Sequence, residues 1–148
     1  MDNEPLLILL ADDDEADRII FTEALSDLRI NTTVITVNDG VALMAWLNRK
    51  EILLPHLLFL DLNMPRKNGL ECLKEIRSNE KLKEVCIGIY STSDNEKDME
   101  ETFLNGANMY ITKPADYNIL KQVLEKAVLT TYQFQKQGMN KDNFLLKI

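Results

Sequence analysis

Acidic residues follow two apolar runs of the sequence, at the points where these runs end. Residues 12–14 are three successive aspartates after the run 6–10, and Asp61 comes directly after the run 57–60. If both runs are strands of one parallel sheet, their carboxylates meet at the same edge of that sheet. Crowded carboxylates repel one another unless a cation neutralises them, and Mg²⁺ prefers oxygen ligands of this kind. The sequence therefore predicts a Mg²⁺ site on these acids.

Hydroxyl groups and a lysine follow two further apolar runs. Residues 91–93 read Ser-Thr-Ser after the run 85–90, and Lys113 follows the run 109–112. Each group alone has an ordinary explanation, because hydroxyls after a strand often cap the next helix and lysines are usually solvated. Two acids, a third acid, a hydroxyl and a lysine at one sheet edge together indicate phosphoryl chemistry on an aspartate.

Five short apolar runs alternate with segments of helical spacing. The runs are residues 6–10, 33–37, 56–60, 85–90 and 109–112. Such alternation is typical of a parallel sheet with crossover helices. The first, third and fourth runs are almost continuously apolar, which indicates strands covered on both faces. The sequence predicts an α/β fold, a three-layer sandwich around a doubly wound, five-stranded parallel sheet.

Apolar stripes predict the helices between these runs. The first two stripes are Phe21, Ala24, Leu25 and Leu28, then Val41, Met44, Ala45, Trp46 and Leu47. Further helices are predicted over residues 70–76, 96–104 and 116–130. Asp14, Glu15 and Asp17 are interpreted as N-cap or solvated residues at the start of the first helix.

Length and charge restrict the class of protein. The 148 residues suffice for one domain, and no apolar stretch is long enough to span a membrane. The acidic start of the sequence lacks the features of a secretory signal, which predicts a cytoplasmic protein. The formal net charge of −7 argues against a nucleic-acid partner and favours protein partners. Cys72 and Cys86 are interpreted as small core residues.

The chain resembles the receiver domains of two-component response regulators over roughly residues 6–129. Residues 8–14 look like the family's first strand with its acidic pair, and Asp61 followed by residues 63–65 (Asn-Met-Pro) looks like its phosphoaccepting signature. Residues 113–114 (Lys-Pro) match its lysine and following proline. The resemblance implies a flavodoxin-like fold with strand order 2-1-3-4-5. Within the family, the chain is most similar to small stand-alone receivers that partner phytochrome-type kinases.

The resemblance also implies a role for each site residue. The Mg²⁺ ligands it implies are Asp12, Asp13, Asp61 and the backbone carbonyl of Asn63. Asp61 would take a phosphoryl group from a sensor histidine kinase or phosphotransfer protein, and Lys113 would neutralise the phosphoryl oxygens. Ser91 and Tyr110 would switch the fourth helix, fifth strand and fifth helix, which contact a downstream protein. The expected activity is that of a phosphoacceptor that catalyses its own phosphorylation and slow dephosphorylation, not that of an enzyme.

Some alternatives follow from single residues. Spacing favours Ser91 as the switch hydroxyl, with Thr92 as the competitor, and only one of them fits because adjacent strand residues face opposite ways. A phosphatase of the haloacid dehalogenase type needs an acid two residues after its nucleophile. Asn63 stands at that position and cannot act as an acid, which argues against this class. A Ser-His or Cys-His hydrolase must use His56, which precedes the third run and so belongs at the opposite sheet edge.

The predicted domain organisation is a receiver of residues 1–130 followed by a tail of residues 131–148, with no output domain. Phe144, Leu146 and Ile148 would lie on one side of an extended segment. We predict that this tail helps to form a homodimer or docks on the kinase, the alternative being a frayed end or a strap packed on its own domain. Output is expected through protein contacts, without nucleic acid or membrane.

Overall fold

The computed structural model describes residues 5–50 and 53–137, with side chains described to residue 131. Strands and helices alternate along these residues. In chain order they are β1 (Leu6–Ala11), α1 (Glu15–Asp27), β2 (Thr32–Val37), α2 (Gly40–Leu47), β3 (Leu57–Leu60), α3 (Gly69–Arg77), β4 (Cys86–Ser91), α4 (Glu96–Leu104), β5 (Met109–Thr112) and α5 (Tyr117–Gln137).

The strands form one parallel sheet in the order β2-β1-β3-β4-β5. The central strand β1 pairs with both neighbours, so that Leu9 lies beside Ile35 of β2 and beside Leu58 of β3. From β1 the chain first adds β2 on one side and then adds β3, β4 and β5 on the other side. Folds of this kind hold ligands at the point where the order switches sides. The predicted five-stranded, doubly wound fold is confirmed.

The two faces of the sheet bury separate apolar clusters. On one face Leu6, Ile8 and Leu10 pack with the apolar sides of α1 and α5. On the other face Leu9 and Ala11 pack with α2 and α3. Because helices cover both faces, the carboxyl edge of the sheet is where the polar strand-end residues collect.

Helices α1 to α4 each begin at a side chain that accepts a hydrogen bond from the backbone of the first turn. These N-caps are Asp14, Asp39, Asn68 and Asn95. Each cap gives a partner to a backbone N–H group that the helix leaves free, and is worth about 1 kcal/mol. The caps therefore fix where the helices start, close to the carboxyl edge of the sheet.

The fifth helix is longer than the sequence predicted. It continues to Gln137, and Thr131, the first residue after the predicted end, is buried. The hydroxyl of Thr131 donates to the carbonyl of Ala127 at 2.9 Å, as is common inside a helix. The predicted boundary at residue 131 therefore falls within α5. Residues 138–148 of the predicted tail lie outside the described residues, and their role in a homodimer or in docking on the kinase stays a prediction.

The buried face of α2 also differs from the prediction. Leu43, Met44 and Leu47 are buried, whereas Val41 and Ala45 are exposed. The helix sequence GVALMAWL has no polar residue, so its spacing could not choose a face. Packing against the sheet and α3 made that choice.

Cys72 and Cys86 are buried and free, as predicted. Burial raises the pKa of each thiol to about 11. Both are therefore neutral thiols near pH 7 and unsuited as nucleophiles. Among the residues that the structure describes, no helix has the length and apolar character needed to cross a membrane.

Arg77 at the end of α3 connects three segments on one side of the sheet. Its guanidinium donates to the backbone carbonyls of Lys83, Val85 and Gly106 and to the side chain of Asn108, at 2.7–2.9 Å. Gly106 has a positive φ of 100°, and a Cβ there would lie 2.9 Å from Arg77 Nε. A side chain at position 106 would thus strain the backbone and displace the arginine.

We expect Arg77→Met to lower the free energy of unfolding by about 2–4 kcal/mol, because it leaves several partly buried carbonyl groups without donors. Urea unfolding measures the change. Lys74→Met, on the exposed side of the same helix, serves as the control and should change stability by less than about 0.5 kcal/mol. Equal stabilities of the two variants would show that the Arg77 hydrogen bonds contribute little.

Candidate functional site

Strands β1 and β3 place two of the predicted acids side by side. They end in register at Ala11 and Leu60, and the backbone N–H of Asp61 donates to the carbonyl of Ala11 at 3.0 Å. Asp12 and Asp61 therefore leave the sheet together at its carboxyl edge, and both are buried. Asp13 is exposed beside them, and carboxylate oxygens of the three acids lie within 4.8 Å of one another.

Strands β4 and β5 bring a hydroxyl and a lysine to the same edge. Ser91 is the last residue of β4 and pairs with Thr112 of β5. The next residue, Lys113, donates its backbone N–H to the carbonyl of Ser91 at 2.7 Å. The lysine side chain starts at this corner and reaches towards the ends of β1 and β3.

The ammonium group of Lys113 is the centre of the cluster. Its Nζ lies 2.8 Å from Asp12 Oδ2, 2.8 Å from Asp17 Oδ2 and 3.2 Å from Asp61 Oδ2. Only 9% of the lysine side chain is exposed, so water screens these ion pairs weakly. The ammonium also lies 5.3 Å from the ring centre of Tyr90, in cation–π contact.

Asp12 presents an oxygen that suits a metal ion. Its Oδ1 accepts a hydrogen bond from the backbone N–H of Asp14 at 3.0 Å. Its Oδ2 is buried and, among the described residues, receives no well-aligned hydrogen bond, although Lys113 Nζ lies 2.8 Å away as an ion-pair partner. A buried carboxylate oxygen in this position is costly unless cationic charge is close. Together with Asp13 and Asp61, this all-oxygen donor set fits Mg²⁺.

Burial and charge act in opposite directions on the two central groups. Removal from water raises the pKa of Asp61 to about 6, Lys113 lowers it, and Asp12 adds to the rise. Burial lowers the pKa of Lys113, but its close contacts with the carboxylates of Asp12, Asp17 and Asp61 outweigh burial, so this pKa is raised. The lysine therefore stays cationic, and the carboxylates around it outnumber its single charge.

The end of β4 separates the two candidate hydroxyls. Ser91 is fully buried, whereas Thr92 is exposed. Ser91 Oγ accepts a hydrogen bond from the backbone N–H of Ser93 at 3.2 Å. Tyr110 of β5 is also buried, and its hydroxyl donates to the carbonyl of Ser93 at 2.8 Å. Ser91 and Tyr110 therefore both hold the loop after β4, through the same residue.

The loop after β3 is packed tightly against the strand end that carries Asp61. Asp61 Oδ1 accepts a hydrogen bond from the backbone N–H of Asn63 at 3.3 Å. A Cβ on Gly69 would lie 2.2 Å from the carbonyl oxygen of Asp61, so any larger residue there would push this strand end away. The glycine therefore allows α3 to start beside the acid cluster.

Asp17 and Tyr90 belong to the cluster although the sequence did not predict them, whereas His56 lies away from it, as predicted. The sequence predicts Asp17 to be a solvated residue at the helix start, but in the structure it contacts Lys113. Its position in the first turn after the acidic loop is the feature of the sequence that could have indicated this contact. Tyr90 lies within a run of apolar residues and gave no signal of its own. His56 precedes β3 at the opposite edge, where its Nδ1 accepts a hydrogen bond from the backbone N–H of Leu7 at 2.9 Å.

Comparison with known families and proteins gives one consistent result. The sequence model of the family described as "Response regulator receiver domain" matches residues 8–125. Response regulator Rcp1 of Synechocystis is 35% identical over 127 residues, which cover 83% of this chain and 86% of that protein. Chemotaxis protein CheY-3 of Vibrio cholerae is 31% identical over 124 residues, which cover 84% of this chain and 92% of that protein.

Solved structures agree with the sequence comparisons. The phosphorylated cyanobacterial phytochrome response regulator RcpA has a TM-score of 0.78 and 33% identity, covering 93% of this chain and 98% of that chain. The Mn²⁺-bound form of Rcp1 has a TM-score of 0.73 and 30% identity, covering 93% of this chain and 96% of that chain.

We expect Asp61→Asn to raise the free energy of unfolding of the metal-free protein by roughly 1–2 kcal/mol, because burial disfavours the charged carboxylate. Urea unfolding with a chelator measures this change. Asp94→Asn removes the same charge from an exposed position and should have little effect. Mg²⁺ should then stabilise the wild type more than Asp61→Asn, since it binds the folded acid cluster. A loss of stability in Asp61→Asn would contradict this account.

Proposed function

Because the chain belongs to the response regulator receiver domain family, we propose that it accepts a phosphoryl group on Asp61 from a histidine kinase or phosphotransfer protein. The chain is a response regulator of two-component signalling, and the proposal concerns its residues and their chemistry. The observation that carries it is the contact between the cationic Lys113 and buried Asp61, next to Asp12 and Asp13. This arrangement suits an anionic group that arrives at the end of β3.

Asp12, Asp13 and Asp61 would hold one Mg²⁺, with the backbone carbonyl of Asn63 as a further ligand. The Mn²⁺-bound relative Rcp1 and the close approach of the three carboxylates support this assignment. When bound, the metal would supply positive charge against the phosphoryl oxygens and against the repulsion between the acids. The exposed position of Asp13 leaves one side of the site open to water and to the phosphoryl donor.

In the proposed reaction, a carboxylate oxygen of Asp61 attacks the phosphorus of a phosphohistidine. A new O–P bond forms while the P–N bond breaks, and the imidazole nitrogen keeps the bonding electrons. Lys113 stabilises charge on the phosphoryl oxygens, for which its buried ammonium is already within 3.2 Å of Asp61. Catalysis then depends on positioning and charge neutralisation, as in phosphoryl transfer generally.

Ser91 and Tyr110 are the proposed switch. A phosphoryl oxygen would accept a hydrogen bond from the hydroxyl of Ser91, whose Oγ itself accepts one from the backbone N–H of Ser93. A shift of Ser91 towards the phosphoryl group would therefore act on the loop through this contact. The loop that Ser93 belongs to is also bonded to Tyr110, so a change in one contact alters the other. The signal would then reach partners through α4, β5 and α5, where Leu104 is 71% exposed. A contact made only in the phosphorylated state is what lets phosphate shift the equilibrium.

Two side chains near the site are proposed to set the lifetime of the phosphorylated state. Asn63 is exposed two residues after Asp61, where it can contact attacking water. Ser93 Oγ donates a hydrogen bond to Asp98 Oδ2 at 2.6 Å and accepts one from the side-chain amide of Asn95 at 3.0 Å. This network holds the serine at the start of α4.

Incubation with acetyl phosphate and Mg²⁺ should add one acid-stable, hydroxylamine-labile phosphoryl group to the wild-type protein. Asp61→Asn should remain unlabelled, because the amide is a poor nucleophile and Asp61 is the buried acid paired with Lys113. Intact-mass measurement and peptide mapping locate the group. Asp94→Asn is the matched control and should label like the wild type. Equal labelling of Asp61→Asn would exclude the proposed acceptor.

Ser91→Ala should still be phosphorylated, but it should fail to produce the spectral change in β5 that accompanies phosphorylation of the wild type. The reason is that its hydrogen bond to the phosphoryl group exists only in the modified state. Amide shifts around Tyr110, recorded by NMR with and without phosphorylation, measure the change. Thr92→Ala, at the exposed neighbouring position, should behave as the wild type. A normal response in Ser91→Ala with a lost response in Thr92→Ala would assign the role to Thr92.

A further inference from the structure

Asp17 contacts Lys113 more closely than Asp61 does. Its Oδ2 lies 2.8 Å from Lys113 Nζ, compared with 3.2 Å for Asp61 Oδ2, and the lysine N–H donates to it in a hydrogen bond. The two residues are far apart in the sequence and join α1 to the end of β5. About a third of the Asp17 side chain is exposed, against 9% for the lysine side chain. The contact therefore bridges the rim of the site and its buried centre.

The number of donors on the lysine limits what it can bind. An ammonium group has three N–H donors and no acceptor. In this structure three carboxylates lie at contact distance, those of Asp12, Asp17 and Asp61. The ammonium donates hydrogen bonds to Asp17 and Asp61, whereas Asp12 is an ion-pair partner without a well-aligned hydrogen bond. A phosphoryl oxygen can therefore take the donor that points to Asp61 while Asp17 keeps its own. On phosphorylation, the carboxylate that loses its charge is Asp61, whose oxygen becomes the bridge to phosphorus.

We propose that Asp17 is a positioning residue for phosphoryl transfer, a proposal that rests on the assignment of Asp61 as the phosphoacceptor. Asp17 accepts one donor of Lys113 and Asp12 attracts the ammonium as an ion-pair partner, so that another donor points to Asp61 before the transfer and to a phosphoryl oxygen afterwards. A lysine side chain loses rotamer entropy when it is held in one place. Because Asp17 already holds the lysine in the resting protein, this entropy is lost before the phosphoryl donor arrives.

The start of α1 is built to hold Asp17 in this place. The cap residue Asp14 accepts a hydrogen bond from the backbone N–H of Asp17 at 3.0 Å. The backbone N–H of Asp14 in turn donates to Asp12 Oδ1 at 3.0 Å, and Arg18 Nη1 donates to the carbonyl of Asp12 at 2.8 Å. The backbone of the first turn is thus tied to the same strand end that carries the acid cluster. Its position is set by contacts that do not involve Lys113.

Charge alone predicts the opposite effect of removing Asp17. A negative group near the site repels an incoming phosphoryl anion, so loss of that charge would speed the reaction. Positioning predicts a slower reaction, because the released ammonium either turns to solvent or pairs fully with the nucleophile. Glu15, in the same helical turn, separates the two effects: it is exposed, and none of the ion pairs among the described residues involves it.

The experiment compares the wild type with Asp17→Ala, Asp17→Glu and Glu15→Gln, each as the full chain at saturating Mg²⁺. The rate of labelling by acetyl phosphate is measured by intact mass, and melting temperature is recorded alongside it. Asp17→Ala should slow labelling by about threefold to tenfold, the range for loss of a partly exposed charged contact. Asp17→Glu should restore part of the rate, and Glu15→Gln should match or slightly exceed the wild type.

A second measurement follows the lysine itself. Nitrogen-15 NMR of the Lys113 ammonium, in metal-free protein without a phosphoryl donor, should show protons protected from solvent in the wild type and in Glu15→Gln. These protons should exchange faster in Asp17→Ala. An unchanged ammonium signal, or a faster labelling rate in Asp17→Ala, would overturn the positioning role. If the wild type takes no phosphate on Asp61, the proposed function fails, while the ammonium signal still decides whether Asp17 places the lysine.

Discussion

The burial of several carboxylates at one sheet edge is the constraint on which the site depends. Asp12 and Asp61 are both almost withdrawn from water, and their mutual repulsion would be prohibitive without positive charge. Lys113 supplies one charge and is itself stabilised by them. The cluster therefore remains anionic overall, and this excess is the physical reason for its fit to a divalent cation. The acids would repel a phosphoryl group unless the positive charges of Lys113 and of a bound divalent cation outweigh them.

The same geometry connects the site to a distant surface. Lys113 and Ser91 are joined by a backbone hydrogen bond of 2.7 Å, and Ser91 shares Ser93 with Tyr110. The end of β3 is therefore linked to the loop that precedes α4 through Lys113 and Ser91. Coupling of this kind needs short, defined hydrogen bonds more than large movements, because packed interiors change between discrete arrangements.

Much of the precision at this edge comes from the helices that start there. The N-caps fix the first turns, and Gly69 lets α3 approach the carbonyl of Asp61. On the remote side, Arg77 ties the end of α3 to the segments before β4 and β5. The positions of the acid cluster and of Lys113 are thus set by backbone contacts on both sides of the sheet, as preorganised sites require.

The sequence by itself determined the fold class, the edge at which the acids meet and the family. Strands buried on both faces have apolar runs that end abruptly, so strand ends such as those before Asp12 and Asp61 can be recognised locally. Helix ends depend on tertiary contacts: α5 extends beyond the predicted boundary, where Thr131 is buried.

Only the tertiary structure decided which polar groups touch. Asp17 resembles any solvated acid of a first helical turn, and its contact with Lys113 depends on how α1 and β5 are placed around β1. Burial of Ser91 and exposure of Thr92 likewise come from packing, since both stand in the same short hydroxyl run. Local patterns specify elements through backbone periodicity, whereas contacts between residues distant in sequence arise from packing that no local pattern records.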